Sequence, residues 1–171
     1  MYIKKQREGE MSSAERLKKA KEVFFEAMMH GYANPEAKKT SLKGLPKSKV
    51  ITFEKDDFIV TDLYFTHPES DASSGITIIH HQNEPIWVMH YGGWYKKEAI
   101  SFLKEVLYTA YKKEYFAGGR GINPSQSDSF LYLNRIERDS FSDFNGREEI
   151  YDGSGTLLGF HEYFGGSLLP K

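Results

Sequence analysis

The spacing of apolar residues early in the chain is that of an amphipathic helix. The apolar positions that recur at intervals of three and four residues are Leu17, Ala20, Phe24, Ala27 and Met28. Ser12 and Glu15 precede them in the relation of a capping box, and Gly31 followed by Asn34-Pro35 is typical of a helix end. We therefore predict a first helix over residues 13–30, with its apolar stripe in the core.

The pattern then changes to the two-residue alternation of β-strands. Alternation predicts one or two strands through about residue 66, with a turn at Asp56-Asp57. It also predicts a hairpin over residues 75–91, which we expect Gly92-Gly93 to close.

A second helix and further strands are predicted in the rest of the chain. An apolar stripe predicts a helix over about residues 96–115, and a strand follows over residues 130–136. Residues 139–146 are expected to form a long polar turn. A second hairpin is predicted over residues 147–164, closed by Gly165-Gly166.

The two successions of helix and strands look alike, which predicts an internal repeat. Trp87 lies 73 positions before Phe160, and Tyr91 lies 73 positions before Phe164. Two copies can pair edge to edge, which covers the exposed sheet edge and the thin core of a single copy. Chance is the alternative, because an aromatic residue followed by two glycines is a common pattern.

The predicted fold is α+β. Two α-β-β-β repeats, over about residues 12–93 and 96–166, form an antiparallel sheet of about six strands with the two main helices packed on one face. Residues 1–171 then form a single domain, in which residues 1–11 are expected to be flexible.

Composition excludes several classes of protein. Of the 171 residues, 39% are hydrophobic and 15% are aromatic, so the chain can form a real core and is not disordered. The absence of cysteine excludes disulfides and thiolate chemistry. No apolar stretch approaches the roughly 20 residues that span a bilayer, and residues 1–11 lack the apolar core of a signal peptide. We expect a cytoplasmic protein without membrane contact, which starts at Met1 or Met11.

Positive charge is concentrated at the beginning of the chain. Residues 1–50 contain 12 Lys and Arg against 6 Asp and Glu, whereas the remaining residues contain 11 against 18. A basic arm on an acidic body is compatible with nucleic-acid contact. The arm has neither interleaved aromatic residues nor a nucleic-acid motif, so we favour a solvated helix face and a lysine-rich loop, without nucleic acid as a partner.

Four short motifs resemble those of a known family. They are Gly31-Tyr32-Ala33, Pro85 to Gly93, Phe102 to Leu107, and Tyr163 to Gly166. On these motifs the chain resembles, from about Leu17 to Leu169, an uncharacterised bacterial family of domains of unknown function. Members occur alone or as the C-terminal domain of Xre-type helix-turn-helix regulators.

The resemblance implies a kind of role but no catalytic residues, because the family has no established activity. Fusion to a regulator implies a sensor or ligand-binding role for some members. The first 50 residues of this chain hold one predicted helix, so they cannot contain a complete helix-turn-helix domain. We therefore do not expect this chain to read DNA directly.

Side chains that could carry chemistry are scattered along the sequence. There is no HExxH motif, and His80 and His90 are expected to lie apart on paired strands, so we expect no metal site and no cofactor. Ser154 stands in a hairpin turn and does not form a nucleophile elbow. Gly118 to Gly121 follow a helix C-terminus, which disfavours anions. Catalytic residues stay unassigned.

The best candidate site is a cleft between the sheet and the helices. Alternation within each strand predicts that Trp87 and Tyr91 share one sheet face with Phe160, Glu162 and Phe164, and that His90 lies on the other face with His161 and Tyr163. Met89 is the repeat counterpart of Glu162, so a core position for Met89 predicts that Glu162 is buried with a partner or lines a cleft. The alternative is that this face is solvated in the second half of the chain. The candidate ligand-binding residues are Trp87, Tyr91, His90, Phe160, Glu162 and Phe164. The alternative is that these rings simply pack the core.

Three functions follow from these residues. The favoured one is a non-enzymatic small-molecule-binding or sensor domain. The second is a small hydrolase, which requires a histidine and a carboxylate within hydrogen-bond reach in a cleft. The third is a protein-interaction module or a homodimer, which requires a large apolar surface patch.

Overall fold

A computed structural model of the chain describes residues 11–34 and 36–170. In that part of the chain there are two α-helices and one eight-stranded antiparallel sheet. The elements in chain order are α1 (Ser13–His30), β1 (Lys49–Lys55), β2 (Phe58–Thr66), β3 (Ala72–His81), β4 (Glu84–Tyr95), α2 (Ile100–Lys112), β5 (Ser125–Gln126), β6 (Phe130–Ser140), β7 (Asp143–Asp152) and β8 (Leu157–Ser167). No helix among the described residues is both long enough and apolar enough to cross a membrane.

The first helix begins and ends where its sequence predicts. The Ser12 hydroxyl accepts a hydrogen bond from the Glu15 backbone N–H at 3.2 Å, and the Glu15 carboxylate accepts one from the Ser12 backbone N–H at 2.8 Å. This reciprocal capping box satisfies two otherwise unpaired donors at the helix start. Of residues 1–11, which were expected to be flexible, residues 1–10 lie outside the described residues, whereas Met11 packs against the core. Pro35, expected to follow the helix end, also lies outside the described residues.

The observed sheet differs from the prediction in its number of strands and in the absence of a repeat among the described residues. Its strand order is β1-β2-β3-β4-β8-β7-β6-β5, so two meanders meet where β4 pairs with β8. The sequence predicted about six strands, whereas the described chain is mostly this one sheet with two short helices. The polar turn expected over residues 139–146 is instead the end of β6 and the beginning of β7. No internal repeat is shown in the described residues.

The wrong strand and repeat predictions rested partly on the paired glycines, which were expected to close the hairpins and do not. β4 continues through Gly92-Gly93 to Tyr95, and β8 continues through Gly165-Gly166 to Ser167. Gly93 has a φ of +156°, and a Cβ there would lie 2.0 Å from the carbonyl oxygen of Phe160. The glycine therefore permits close approach of β8 rather than a turn.

Both helices pack on one face of the sheet, which we call the inner face. Phe24 of α1 lies 5.3 Å from Trp87 of β4, measured between ring centroids. The Trp87 indole N–H donates to the Phe141 carbonyl oxygen at 2.7 Å, so this buried ring has its polar atom satisfied. Leu103 and Leu107 of α2 belong to the same buried cluster.

Candidate functional site

A cavity of about 250 Å³ opens between the inner face of the sheet and the two helices. Its apolar and aromatic walls are formed by Met28, Tyr32, Tyr64, Met89, Tyr91, Tyr95, Ile100 and Tyr111. Exposed residues mark its mouth, namely Thr66, Ser70, Asp71, Ala72 and Lys97. We call it the tyrosine cavity. Its volume lies between the roughly 150 Å³ cavity that holds benzene and the roughly 300–1,000 Å³ of drug-sized pockets, so it suits a small organic molecule.

Asp62 of β2 places a buried carboxyl group in the wall of this cavity. Its side chain occupies a core-facing position of β2 and is only 6% exposed. Oδ1 accepts hydrogen bonds from the Tyr91 hydroxyl at 2.6 Å and from the Thr77 hydroxyl at 3.1 Å. Burial raises the pKa of Asp62, and the two hydrogen bonds offset this only in part.

Arg120 and Glu148 form an ion pair at the deep end of the site. Arg120 Nε donates to Glu148 Oε1 at 2.9 Å, and Arg120 Nη2 donates to the same oxygen. The Tyr132 hydroxyl donates to Glu148 Oε2 at 2.7 Å. Burial favours the neutral form of Glu148, but the Arg120 charge and these hydrogen bonds outweigh it and lower the pKa of Glu148. The charges of Arg120 and Glu148 therefore compensate each other within the protein.

His161 of β8 stands between this ion pair and Ser73. Its Nε2 lies 2.9 Å from the Ser73 hydroxyl, and its Nδ1 lies 3.5 Å from Arg120 Nη2. The distance from Nδ1 to Glu148 Oε1 is 3.7 Å, which is beyond hydrogen-bond range. Burial, followed by the nearby Arg120 charge, lowers the pKa of His161 to about 4. The imidazole is therefore neutral at pH 7.

Arg120 favours one of the two neutral tautomers of His161. A guanidinium can only donate hydrogen bonds, so Arg120 Nη2, 3.5 Å from Nδ1, favours Nδ1 as an acceptor and the proton on Nε2. In that tautomer His161 Nε2 donates to the Ser73 hydroxyl. A histidine that activates a serine must instead accept the hydroxyl proton. The Ser73–His161–Glu148 succession thus has the residue types of a catalytic triad but not its proton arrangement.

Two polar atoms of the cavity wall, one of them fully buried, have no hydrogen-bond partner among the described residues. The Tyr95 hydroxyl is buried and unpaired, and burial raises the pKa of Tyr95 well above its ordinary value. Both hydrogen bonds to Asp62 are received by Oδ1, which leaves Oδ2 without a protein donor in the described part of the chain. Unsatisfied buried polar groups are rare in proteins, and they are typical of places where a ligand or water binds.

The predicted site residues are divided between the two sheet faces. Tyr91 lines the cavity, whereas Trp87 is fully buried in the core and is not part of the cavity wall. His90 and Phe164 stack on each other on the outer face, with ring centroids 4.9 Å apart, and Phe164 is 58% exposed.

Phe160 and Glu162 also lie on the outer face. The Arg147 guanidinium carbon lies 3.7 Å from the Phe160 ring centroid, and Arg147 donates to Glu162 at 3.0 Å. The prediction that Phe160, Glu162 and Phe164 share a face with Trp87 and Tyr91 is therefore wrong. Met89 does face the core, but Glu162 is solvated and does not line a cleft.

The register between β4 and β8 explains the error. Tyr91 lies opposite Tyr163, so the face of Tyr91 carries His161 and Tyr163 rather than Phe160 and Phe164. Alternation within each strand was predicted correctly, but the relation between the strands was shifted by one residue. A shift of one residue transfers every side chain to the other face.

Among the cavity residues that were not predicted, some could have been recognised from the sequence and others could not. Asp62 was detectable, because it occupies the core phase of the alternation that also contains Phe58, Val60 and Tyr64. A carboxylate at a core-facing position of a strand is rare unless it is paired or has a function. Arg120 had no such signal, since it lies in a glycine-rich segment after α2. Within the described residues, no three His, Asp or Glu side chains lie close enough together to hold a metal ion.

Comparison with known proteins identifies the family. Residues 62–168 match a family described as a domain of unknown function (DUF5680), which is more than half of the 171-residue chain. The chain belongs to the DUF5680 family. No curated protein and no solved structure matches it. The match agrees with the resemblance in naming a domain of unknown function, and it carries no information on bacterial origin or on a helix-turn-helix partner.

The DUF5680 segment contains the polar part of the cavity. The matched residues begin at Asp62 and include Arg120, Glu148 and His161. Met28 and Tyr32 precede the segment and add an apolar and aromatic wall from the end of α1 and the residues after it. The polar network is thus built within DUF5680, and the region of α1 completes the enclosure.

Proposed function

We propose that this DUF5680 protein is a non-enzymatic small-molecule-binding domain whose ligand occupies the tyrosine cavity. One observation carries the proposal: a cavity of small-molecule size has tyrosine walls and is lined by the buried residue Asp62, whose Oδ2 has no protein donor among the described residues. Binding sites combine apolar or aromatic walls with a few such convergent polar groups.

A sensor role extends this proposal. Binding in the cavity joins α1, the middle of the sheet and the segment after α2, so a ligand stabilises the enclosed arrangement of these elements over open ones. The resemblance to domains fused behind helix-turn-helix regulators supports the same role. In such a role, the ligand changes the affinity of the domain for a protein partner.

Hydrolase chemistry is disfavoured by the proton arrangement at His161. Arg120 favours the tautomer in which Nε2 carries the proton and donates to Ser73, and burial together with Arg120 lowers the pKa of His161 to about 4. A general base near pH 7 needs a free nitrogen and a pKa close to the working pH.

A thermal-shift screen against a library of small metabolites tests the binding function. A ligand present at about 100 times its dissociation constant adds about 2.7 kcal/mol to the free energy of unfolding, which gives a clear rise in Tm. The variant Ile100→Trp fills the cavity from the start of α2 and is expected to lose the shift. Tyr108→Trp, on the same helix and outside the cavity wall, is the matched control and should keep it. A library without any hit, or hits that Ile100→Trp retains, would contradict the proposal.

Homodimerisation through the outer face is a second candidate. Phe164 is 58% exposed and stacks on His90, and Leu168 nearby is 54% exposed. Large apolar side chains on an open sheet surface are typical of interaction sites when they form one patch. Sedimentation equilibrium tests this directly: a dimer that Phe164→Ser converts to a monomer supports it, and a monomeric wild-type protein excludes it.

A further inference from the structure

We propose that the ligand of the tyrosine cavity is a small organic cation, a primary amine with an apolar body, whose ammonium group binds at Asp62. This inference rests on the proposed binding function. It is carried by the charge balance around the cavity and by the open oxygen of Asp62.

Two other charged groups, Arg120 in the deep wall and Asp71 at the mouth, are already paired within the protein. Arg120 is paired with Glu148, and Asp71 at the mouth is paired with Lys96 at 2.7 Å. Asp62 is different, because no Lys or Arg of the described residues forms a salt bridge with it. In the buried part of the wall, Asp62 is thus the acidic group that lacks a counterion, whereas Lys97, which also forms no salt bridge among the described residues, is exposed to solvent at the mouth.

A cation is the ligand chemistry that resolves this imbalance. Burying a carboxylate without a counterion is unfavourable, and an ammonium group supplies both the opposite charge and a hydrogen-bond donor to Oδ2. A neutral donor would satisfy the oxygen but leave the charge uncompensated. A carboxylate ligand would be repelled unless a proton is taken up.

The rest of the cavity specifies the body of the ligand. Met28, Met89 and Ile100 provide apolar wall for a hydrocarbon or aromatic group. The buried Tyr95 hydroxyl, unpaired among the described residues, offers one hydrogen bond to a polar substituent. About 250 Å³ corresponds to about eight water volumes, so amines of about six to twelve heavy atoms match the space.

Isothermal titration calorimetry with a matched panel tests the inference on the full chain. The probes are primary amines such as 2-phenylethylamine and hexylamine, each compared with its isosteric alcohol and with a carboxylate of the same length. At pH 8 we expect at least one amine to bind about tenfold or more tightly than its alcohol, with no detectable binding of its carboxylate. Asp62→Asn should abolish this preference, because the amide keeps an acceptor for Thr77 and Tyr91 but removes the charge. Asp143→Asn, which alters an exposed carboxylate paired with Arg138 outside the tyrosine cavity, should preserve it.

The outcomes separate this inference from the binding function on which it rests. If alcohols or carboxylates bind as tightly as the amines, or if Asp62→Asn retains the amine preference, the cation inference is wrong and the binding function stands. If amines, alcohols and carboxylates all fail to bind and the metabolite screen is also blank, both are wrong. Amine selectivity that depends on Asp62 and not on Asp143 establishes the inference.

Discussion

At the scale of single residues, Asp62 is a side chain that suits ligand binding but lowers the stability of the fold. Its carboxyl group is 6% exposed, accepts two hydrogen bonds at one oxygen and has no salt-bridge partner among the described residues. A side chain chosen for stability at this core position would be apolar or fully paired. Local violations of this kind are expected at functional sites.

Replacing Asp62 by asparagine should therefore stabilise the empty protein. The folded-state pKa of Asp62 is raised above its ordinary value of 3.8, so the folded state binds more protons than the unfolded state between those two values. The contribution of Asp62 to the free energy of unfolding accordingly falls as the pH rises through the raised pKa. Asp62→Asn removes this loss, and we expect a gain of about 1–3 kcal/mol at pH 8 that shrinks towards pH 4. Urea denaturation of both proteins across this pH range measures the difference; a variant that is less stable at every pH would refute the assignment.

His161 gives a second test at the same scale, with the opposite sign. Its pKa is lowered from 6.5 to about 4, so the folded state binds fewer protons than the unfolded state between these values. The stability that neutral His161 contributes is fully present above pH 6.5 and is lost as the pH falls towards 4. Imidazole ¹⁵N NMR should show a neutral ring at pH 5.5 with its proton on Nε2. A ring protonated on Nδ1 at neutral pH would instead make Nε2 available as a base and revive the hydrolase alternative.

At the scale of elements, local signals were readable from the sequence and strand register was not. The capping box at Ser12 and the end at Gly31 gave the exact bounds of α1, because both depend on neighbouring residues. Alternation also gave the inward phase within each strand of β4 and β8. The partner opposite Tyr91 depends instead on pairing between residues 72 positions apart, for which a short pattern holds no information.

The contact between Gly75 and Tyr91 is an element-scale feature that mutation can test. A Cβ at Gly75 would lie 2.5 Å from the Tyr91 hydroxyl and 2.7 Å from the Leu63 carbonyl oxygen. Gly75→Ala should therefore cost about 1–3 kcal/mol and displace the Tyr91 ring from the cavity wall. Gly153→Ala is the matched control, because no atom lies within 4 Å of its added Cβ. Chemical denaturation should show a loss for the first variant only, and equal stabilities of the two would contradict the packing described.

At the scale of the whole molecule, the cavity depends on elements that are far apart in sequence. Met28 comes from α1, Asp62 from β2, Arg120 from the segment after α2 and His161 from β8. This explains why the sequence predicted a cleft between sheet and helices but gave only Tyr91 among its wall residues. It also means that a bound ligand should stabilise the sheet and both helices together.

Methyl NMR of the methionines tests the location of binding most directly. Met28 and Met89 line the tyrosine cavity, whereas Met29, the chain neighbour of Met28, does not. In protein labelled with ¹³C at the methionine methyl groups, titration with the amine panel should shift the Met28 and Met89 signals in a saturable manner and leave Met29 nearly unchanged. Saturable binding that shifts Met29 but neither Met28 nor Met89 would contradict the assignment of this cavity as the binding site, and no saturable shift with any amine would contradict the inference of a cationic ligand.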